Sequence, residues 1–145
     1  MTKDDAKIFK LWESAEKHQS IPVKDAQGNV QWWRNGVRHR EDGPAIEYVD
    51  GTKEWLQNGV HHREDGPAIE YADGAKEWIV KNVRHREDGP AMIWNGGEAW
   101  FIDNRRYANV YDWAKAALQW RGNLNPSEDD VADKVAQVMQ VDLFD

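Results

Sequence analysis

Between residues 21 and 107 apolar and polar positions alternate in short runs, and most of these runs end at a glycine turn. Period-two alternation closed by Asp-Gly or Asn-Gly predicts antiparallel hairpins, because those dipeptides supply the positive φ angles of tight hairpin turns. Asp50-Gly51 and Asp73-Gly74 close one set of hairpins, and Asn58-Gly59 begins another. Treated as two-residue turns, they set Ile46 opposite Trp55 and Glu47 opposite Glu54 at the first, and Leu56 opposite His61 and Gln57 opposite Val60 at the second. At the ends of the chain the period lengthens. Residues 2–18 place Ile8, Leu11, Trp12 and Ala15 on one helical face behind a Thr2/Asp5 capping box. Asn109 opens a second helix, striped by Val110, Trp113, Ala117 and Leu118 and stopped by Gly122. Ser127 with Asp130 opens a third, striped by Val131, Val135, Val138 and Met139 ahead of an acidic tail.

The strand pattern is itself repeated. HREDGPA occurs at 39–45, 62–68 and 85–91, a period of 23 residues, and the last unit is one residue short at Asn95-Gly96-Gly97. Alternation from the pairing above puts Trp32, Trp55, Trp78 and Trp100 on one face. With them go Val23/Ile46/Ile69/Met92, Tyr48/Tyr71/Trp94 and His39/His62/His85, the last row continued by Tyr107. This face is expected to pack. The other face carries Trp33/Leu56/Ile79/Phe101, Arg38/His61/Arg84/Arg106 and the opposed carboxylates Glu47/Glu54 and Glu70/Glu77. Opposed like charges destabilise a sheet, so Arg40, Arg63 or Arg86 should intervene. In EDGPA, proline fixes its own φ and drives the preceding glycine towards extended backbone, so the corner falls at the same place in every unit.

The fold class that follows is mainly β with flanking helices. It is a meandering antiparallel sheet of about four 23-residue hairpin repeats with one N-terminal and two C-terminal helices. Each hairpin buries its face only against its neighbours, so the helices serve as caps. Residues 1–20 form the N-terminal helix, 21–107 the repeat sheet and 108–145 the C-terminal helical segment of a single compact domain.

Composition removes several function classes. The chain has 26 acidic and 19 basic residues, a net charge of −7, which opposes non-specific attraction to long nucleic acid or anionic membrane. It has no cysteine, so disulfides, thiolate metal sites and thiol nucleophiles are excluded. No apolar run reaches the length of a membrane span and MTKDDAKIFK lacks a signal-peptide core, so a soluble, cytoplasmic protein is expected. Nine tryptophans, four tyrosines and three phenylalanines are far more aromatic content than a disordered acidic chain carries.

The three copies of HREDGPA resemble the MORN family of β-hairpin repeats, in the divergent HRxDGPA form found among bacterial and bacteriophage proteins. A standard unit reads approximately YxGxWxxGxxHGxG. Trp55, Gly59 and His62 are the counterparts here, with Arg63 where glycine would follow the histidine. The resemblance implies a non-enzymatic binding or scaffolding sheet, names no ligand, and places a phage-encoded copy in the host cytoplasm.

The recurrent His39, His62 and His85 stand beside carboxylates, but a period spreads them along a stack whereas a metal needs converging ligands. They are read as structural, with the tryptophan column Trp32/Trp55/Trp78/Trp100, and no metal or cofactor is expected. No serine has a histidine partner in sequence, no phosphate-binding glycine loop occurs, and the repeated carboxylate pairs read as an ion-pair ladder, so no enzyme and no catalytic residue is expected. Arg38, Arg84, Arg106 and His61, beside Trp33 and Phe101, alternate planar cations with aromatic surface, a pattern suited to phosphates and stacked bases. The same column also reads as a solvated, salt-bridged surface.

With the phage-type resemblance, this column leads to a sequestering protein that captures an anionic, nucleotide-like signal and blunts host defence. The alternative is a protein-interaction module: an inhibitor, adaptor or acidic nucleic-acid mimic that docks a host protein or a second copy. It would use its acidic surface or the helical Trp113 and Trp120.

Overall fold

The computed structural model describes residues 19–144, and the helix expected over residues 2–18 lies outside them. The chain forms β1 (Ile21–Lys24), β2 (Val30–Arg34), β3 (Val37–Arg38), β4 (Ile46–Glu47), β5 (Lys53–Glu54), β6 (Leu56–Gln57), β7 (Val60–His61) and β8 (Ile69–Glu70). It continues with β9 (Lys76–Glu77), β10 (Ile79–Val80), β11 (Val83–Arg84), β12 (Met92–Trp94), β13 (Gly97–Ile102), β14 (Arg105–Tyr107), α1 (Val110–Trp120) and α2 (Glu128–Phe144). The fold is mainly antiparallel β with two helices at its C-terminal end.

The main sheet runs β1-β2-β4-β5-β8-β9-β12-β13-β14, every neighbouring pair antiparallel. The tip hairpins β2-β3, β6-β7, β10-β11 and β13-β14 extend from it side by side. Successive tips are stitched by backbone bonds, among them Gly59 N–H to Arg38 O at 2.9 Å, Asn82 N–H to His61 O at 2.8 Å and Asn104 N–H to Arg84 O at 2.8 Å.

The two turn types differ in length. At the tips, Asn58 (φ 51°) and Gly59 (φ 82°) form the expected two-residue turn, with Leu56 opposite His61 and Gln57 opposite Val60. At Asp50-Gly51 the loop holds three residues. Tyr48 N–H donates to Thr52 O at 2.9 Å, Gly51 (φ 97°) closes back on Tyr48 O at 3.0 Å, and Asp50 Oδ1 accepts from Thr52 N–H at 2.8 Å. The extra residue shifts the register by one. Ile46 stands opposite Glu54, not Trp55, and Glu47 opposite Lys53, not Glu54. A one-residue slip moves a whole strand to the other face. The rows Ile46/Ile69/Met92 and Tyr48/Tyr71/Trp94 therefore share the face of Glu54, Leu56 and His61, leaving the tryptophan face. The expected collision of Glu47 with Glu54 does not arise. Asn95-Gly96, one residue shorter, restores a two-residue turn with Trp94 opposite Gly97.

Among the described residues, small apolar clusters hold the middle of the stack. Ala45, Ile46 and Leu56 form one and Ala68, Ile69 and Ile79 the next. The largest cluster lies where the helices cover the last hairpin, joining Trp100 and Ile102 to Trp113, Ala114, Ala117, Val131 and Val138. Both caps match the sequence. Asn109 accepts from Asp112 N–H at 2.8 Å, and Ser127 and Asp130 bond reciprocally at 3.0 and 3.1 Å. Gly122 (φ 107°) ends α1 with Asn123 N–H returning to Leu118 O. Two expectations fail here. Met139 is exposed, and α2 continues to Phe144 through the segment expected as a tail.

Candidate functional site

The repeated motif is consumed by its own fold. The Arg63 guanidinium lies 3.9 Å from the Trp55 ring centroid, donates from Nε to Asp65 Oδ1 at 3.0 Å and from Nη1 to Pro67 O at 3.0 Å, and stands 3.6 Å from Glu70. Arg40 over Trp32 and Arg86 over Trp78 repeat the arrangement at 3.9 and 3.8 Å. A Cβ on Gly66 would stand 2.8 Å from Arg63 Cζ, so the glycine is required by the cation lying flat on it. Its backbone is not left-handed, and the corner depends on close approach in addition to the proline. The expected intervening cations are thus present, but they sit on the tryptophan face.

The histidines join one unit to the next. His39 Nδ1 accepts from Asn58 N–H at 2.9 Å, His62 Nδ1 from Lys81 N–H at 2.9 Å and His85 Nδ1 from Asp103 N–H at 3.0 Å. An accepting Nδ1 requires the proton on Nε2, which faces Glu41 at 3.4 Å, Glu64 at 3.6 Å and Glu87 at 3.2 Å. Burial and the nearby Arg34 hold His39 below the ordinary histidine range, only partly offset by Glu41. A histidine depressed in the folded state contributes stability that is complete above its unfolded pKa of about 6.5 and is lost as pH falls through the lower folded value. Melting temperature should therefore fall between about pH 7 and pH 5, and His39→Gln, which keeps an acceptor without a titrating ring, should flatten that fall. Thermal melts of both proteins across this range provide the check; equal slopes would remove His39 as the cause.

An open polar groove of about 590 Å³ runs between the first two corners, lined by Arg40, Glu41, Gly43, Trp55, His62 and Arg63 among others. Its cations are already engaged. The third corner is covered instead: Trp113 Nε1 donates to Arg86 O at 3.1 Å, Lys134 Nζ to Glu87 O at 2.7 Å, and Arg121 forks onto Glu87. Trp120 packs its ring 5.0 Å from His85 and stays half exposed. Trp113 is fully buried, edge-on to Trp100 at 4.7 Å, which removes it from any docking face.

On the opposite face the expected cation column forms, and two of its four members are paired with carboxylates. Arg38 Nε donates to Gln31 at 3.0 Å and stacks 5.2 Å from Trp33. His61 Nε2 lies 2.7 Å from Glu54, and Arg84 Nε donates to the buried Glu77 at 3.1 Å while standing 6.0 Å from Phe101. Arg106, opposite Phe101, falls where the carboxylate column has reached Ala99, and it has no ion-pair partner among the described residues. The face thus brings Arg38, His61, Arg84, Arg106, Trp33 and Phe101 together; His61 and Arg84 are paired with carboxylates, Arg38 is held by the neutral Gln31 amide, and Arg106 has no ion-pair partner among the described residues.

Beside that column runs a row that sequence reasoning assigned to the packed face. Tyr48, Tyr71 and Trp94 are 37%, 41% and 41% exposed. Tyr48 Oη donates to Glu54 and Tyr71 Oη to Glu77, both at 2.5 Å, which fixes the rings in place. Burial and the carboxylate it serves push each phenol up to about 12. His61 holds Glu54 below the ordinary carboxylate range, with Tyr48 adding to the effect. The signal that would have found the row is the extra residue in the Asp-Gly loops. Among the described residues no group of acidic, histidine or cysteine side chains is arranged to hold a metal, and no helix is long and apolar enough to cross a membrane. No protein-family model matches the chain, nor does any curated protein or solved structure.

Proposed function

We propose that this chain is a non-enzymatic interaction module that holds a protein partner on the open sheet face carrying Tyr48, Tyr71 and Trp94. The observation that carries this reading is the exposure of three aligned aromatic rings, two of them locked by hydroxyl bonds to Glu54 and Glu77. Aromatic side chains held in one rotamer supply contact area at small entropic cost and are the usual anchors of interfaces. We read the scaffold as about four units of one MORN-like hairpin repeat, closed by helices, that acts from the cytoplasm.

Sequestration of an anionic, nucleotide-like ligand is the second reading, favoured by Arg38 and Arg106, which have no ion-pair partner among the described residues, whereas His61 and Arg84 are paired with Glu54 and Glu77. One experiment separates the two. A photo-cross-linking side chain placed at Tyr71 should yield polypeptide adducts in cells, while the same group at Asp65 on the corner should not. Nucleotides should leave the melting temperature unchanged. Absence of an adduct at Tyr71, together with a nucleotide shift that Arg106→Glu abolishes, would replace the first reading with the second.

A further inference from the structure

We infer that the partner segment is a polyproline II helix with proline at every third residue and a basic residue at one end. The inference rests on the interaction reading above and specifies its occupant.

Spacing is the first argument. Tyr48, Tyr71 and Trp94 extend β4, β8 and β12, and each successive pair is separated by two strand intervals in the order β4-β5-β8-β9-β12. Strands lie about 4.7 to 4.9 Å apart, so the rings recur about every 9.5 Å. A polyproline II helix advances 3.1 Å per residue with three residues per turn, about 9.3 Å between equivalent side chains. The other regular conformations fit less well. An extended strand repeats a face about every 6.7 Å, and a helical heptad about every 10.5 Å. An extended chain without internal hydrogen bonds also suits a row of flat rings, on which prolines pack without a loss of backbone freedom they have already given up.

Charge is the second argument. One unit before Tyr48, the same column holds Asp25, whose N–H donates to Asn29 O as that of Tyr48 does to Thr52 O. The Asp25 carboxylate accepts from the Gln27 and Asn29 amides and the Asn29 side chain, and among the described residues no cation neutralises it. Asp50 and Asp73, both exposed, lie in the loops beside the first two rings. The row thus reads carboxylate, ring, ring, ring at equal intervals, on a chain of net charge −7. The complementary ligand carries arginine or lysine, then proline three, six and nine residues away.

The probe is a synthetic peptide of arginine followed by three Ala-Pro-Pro triplets, titrated into the full chain and followed by amide and indole NMR shifts. Two controls keep its length and charge, one with every proline replaced by glycine and one with a helix-forming alanine-glutamine sequence. The proline peptide should bind, with shifts centred on Tyr48, Tyr71 and Trp94. Tyr71→Ala should weaken it about tenfold, as loss of an interface anchor does, and Asp25→Asn should weaken it while reducing its salt dependence. Tyr111→Ala, an exposed ring on α1 outside the row, should leave binding unchanged. The inference is overturned if the glycine or helical peptide binds as well, if Tyr71→Ala leaves the affinity unaltered, or if the proline peptide does not bind. Should the proline peptide fail while a cross-linker at Tyr71 still captures a polypeptide, the occupant is wrong and the interaction reading survives. Failure of both removes the two together.

Discussion

Replacing Trp113 with alanine is expected to cost about 3 to 5 kcal/mol, the range for emptying a buried large aromatic site. Trp113 is fully buried in the largest apolar cluster, its ring set against Trp100 at 4.7 Å. Its indole N–H is also the donor to the Arg86 carbonyl, so truncation opens a cavity and strands an acceptor at once. In the preceding units an arginine lies over the tryptophan of the same column; over Trp100 that place is taken by Trp113. The helical segment therefore completes the repeat where the motif stops. Denaturant unfolding of Trp113→Ala beside Trp120→Ala gives the comparison. Equal losses at the buried and the half-exposed tryptophan would contradict this account of the cap.

Gly66→Ala should destabilise by about 1 to 3 kcal/mol, the usual cost of overpacking, and nearly all of that cost should depend on Arg63. The added methyl meets Arg63 Cζ at 2.8 Å, and the guanidinium is pinned by Trp55, Asp65 and the Pro67 carbonyl. It must leave the ring to make room, giving up a cation–π contact worth about 0.5 to 2 kcal/mol and two hydrogen bonds. Once Arg63 is alanine the three atoms nearest the methyl are gone, and Gly66→Ala should be neutral or stabilising by about 0.4 to 1 kcal/mol through the unfolded chain. A four-member thermodynamic cycle measures this coupling. Additive effects would show that the glycine serves backbone conformation, as the Gly-Pro pair alone suggests.

The stacked hairpins, both helix caps and the tip register were legible in the sequence because each rests on local chemistry. Asn58-Gly59 dictates a two-residue turn, Asn109 and Ser127 carry their own capping acceptors, and the recurrence of HREDGPA announces the stack. The faces of the main sheet were not legible, because an Asp-Gly pair is compatible with loops of two or three residues and the difference inverts a strand. Ile46 and Tyr48 moved to the other face for that reason alone. The cation column was found by alternation within the tip hairpins, where the register held. His61 and Arg84 pair with Glu54 and Glu77, which the same alternation already places on their face; the longer loop instead takes Glu47 and Glu70 away from it. Trp113 stood both in the apolar stripe of its helix and on the alternative docking face, and its full burial follows the stripe, whereas Trp120, outside the stripe, is half exposed.

On the proposed reading the corner face is structural and the aromatic row is the working surface. Partner retention by Tyr71→Ala and Arg63→Ala, each assayed at a temperature where its own melting curve shows it folded, tests this most directly. Tyr71→Ala gives up a hydrogen bond to the buried Glu77 carboxylate, a loss of about 1.5 to 3 kcal/mol for a bond to a charged group, and where it is folded it should lose the polypeptide captured on this face. Arg63→Ala should melt well below the parent and keep that partner. The reverse pattern, with binding lost at Arg63 and retained at Tyr71, would contradict the account.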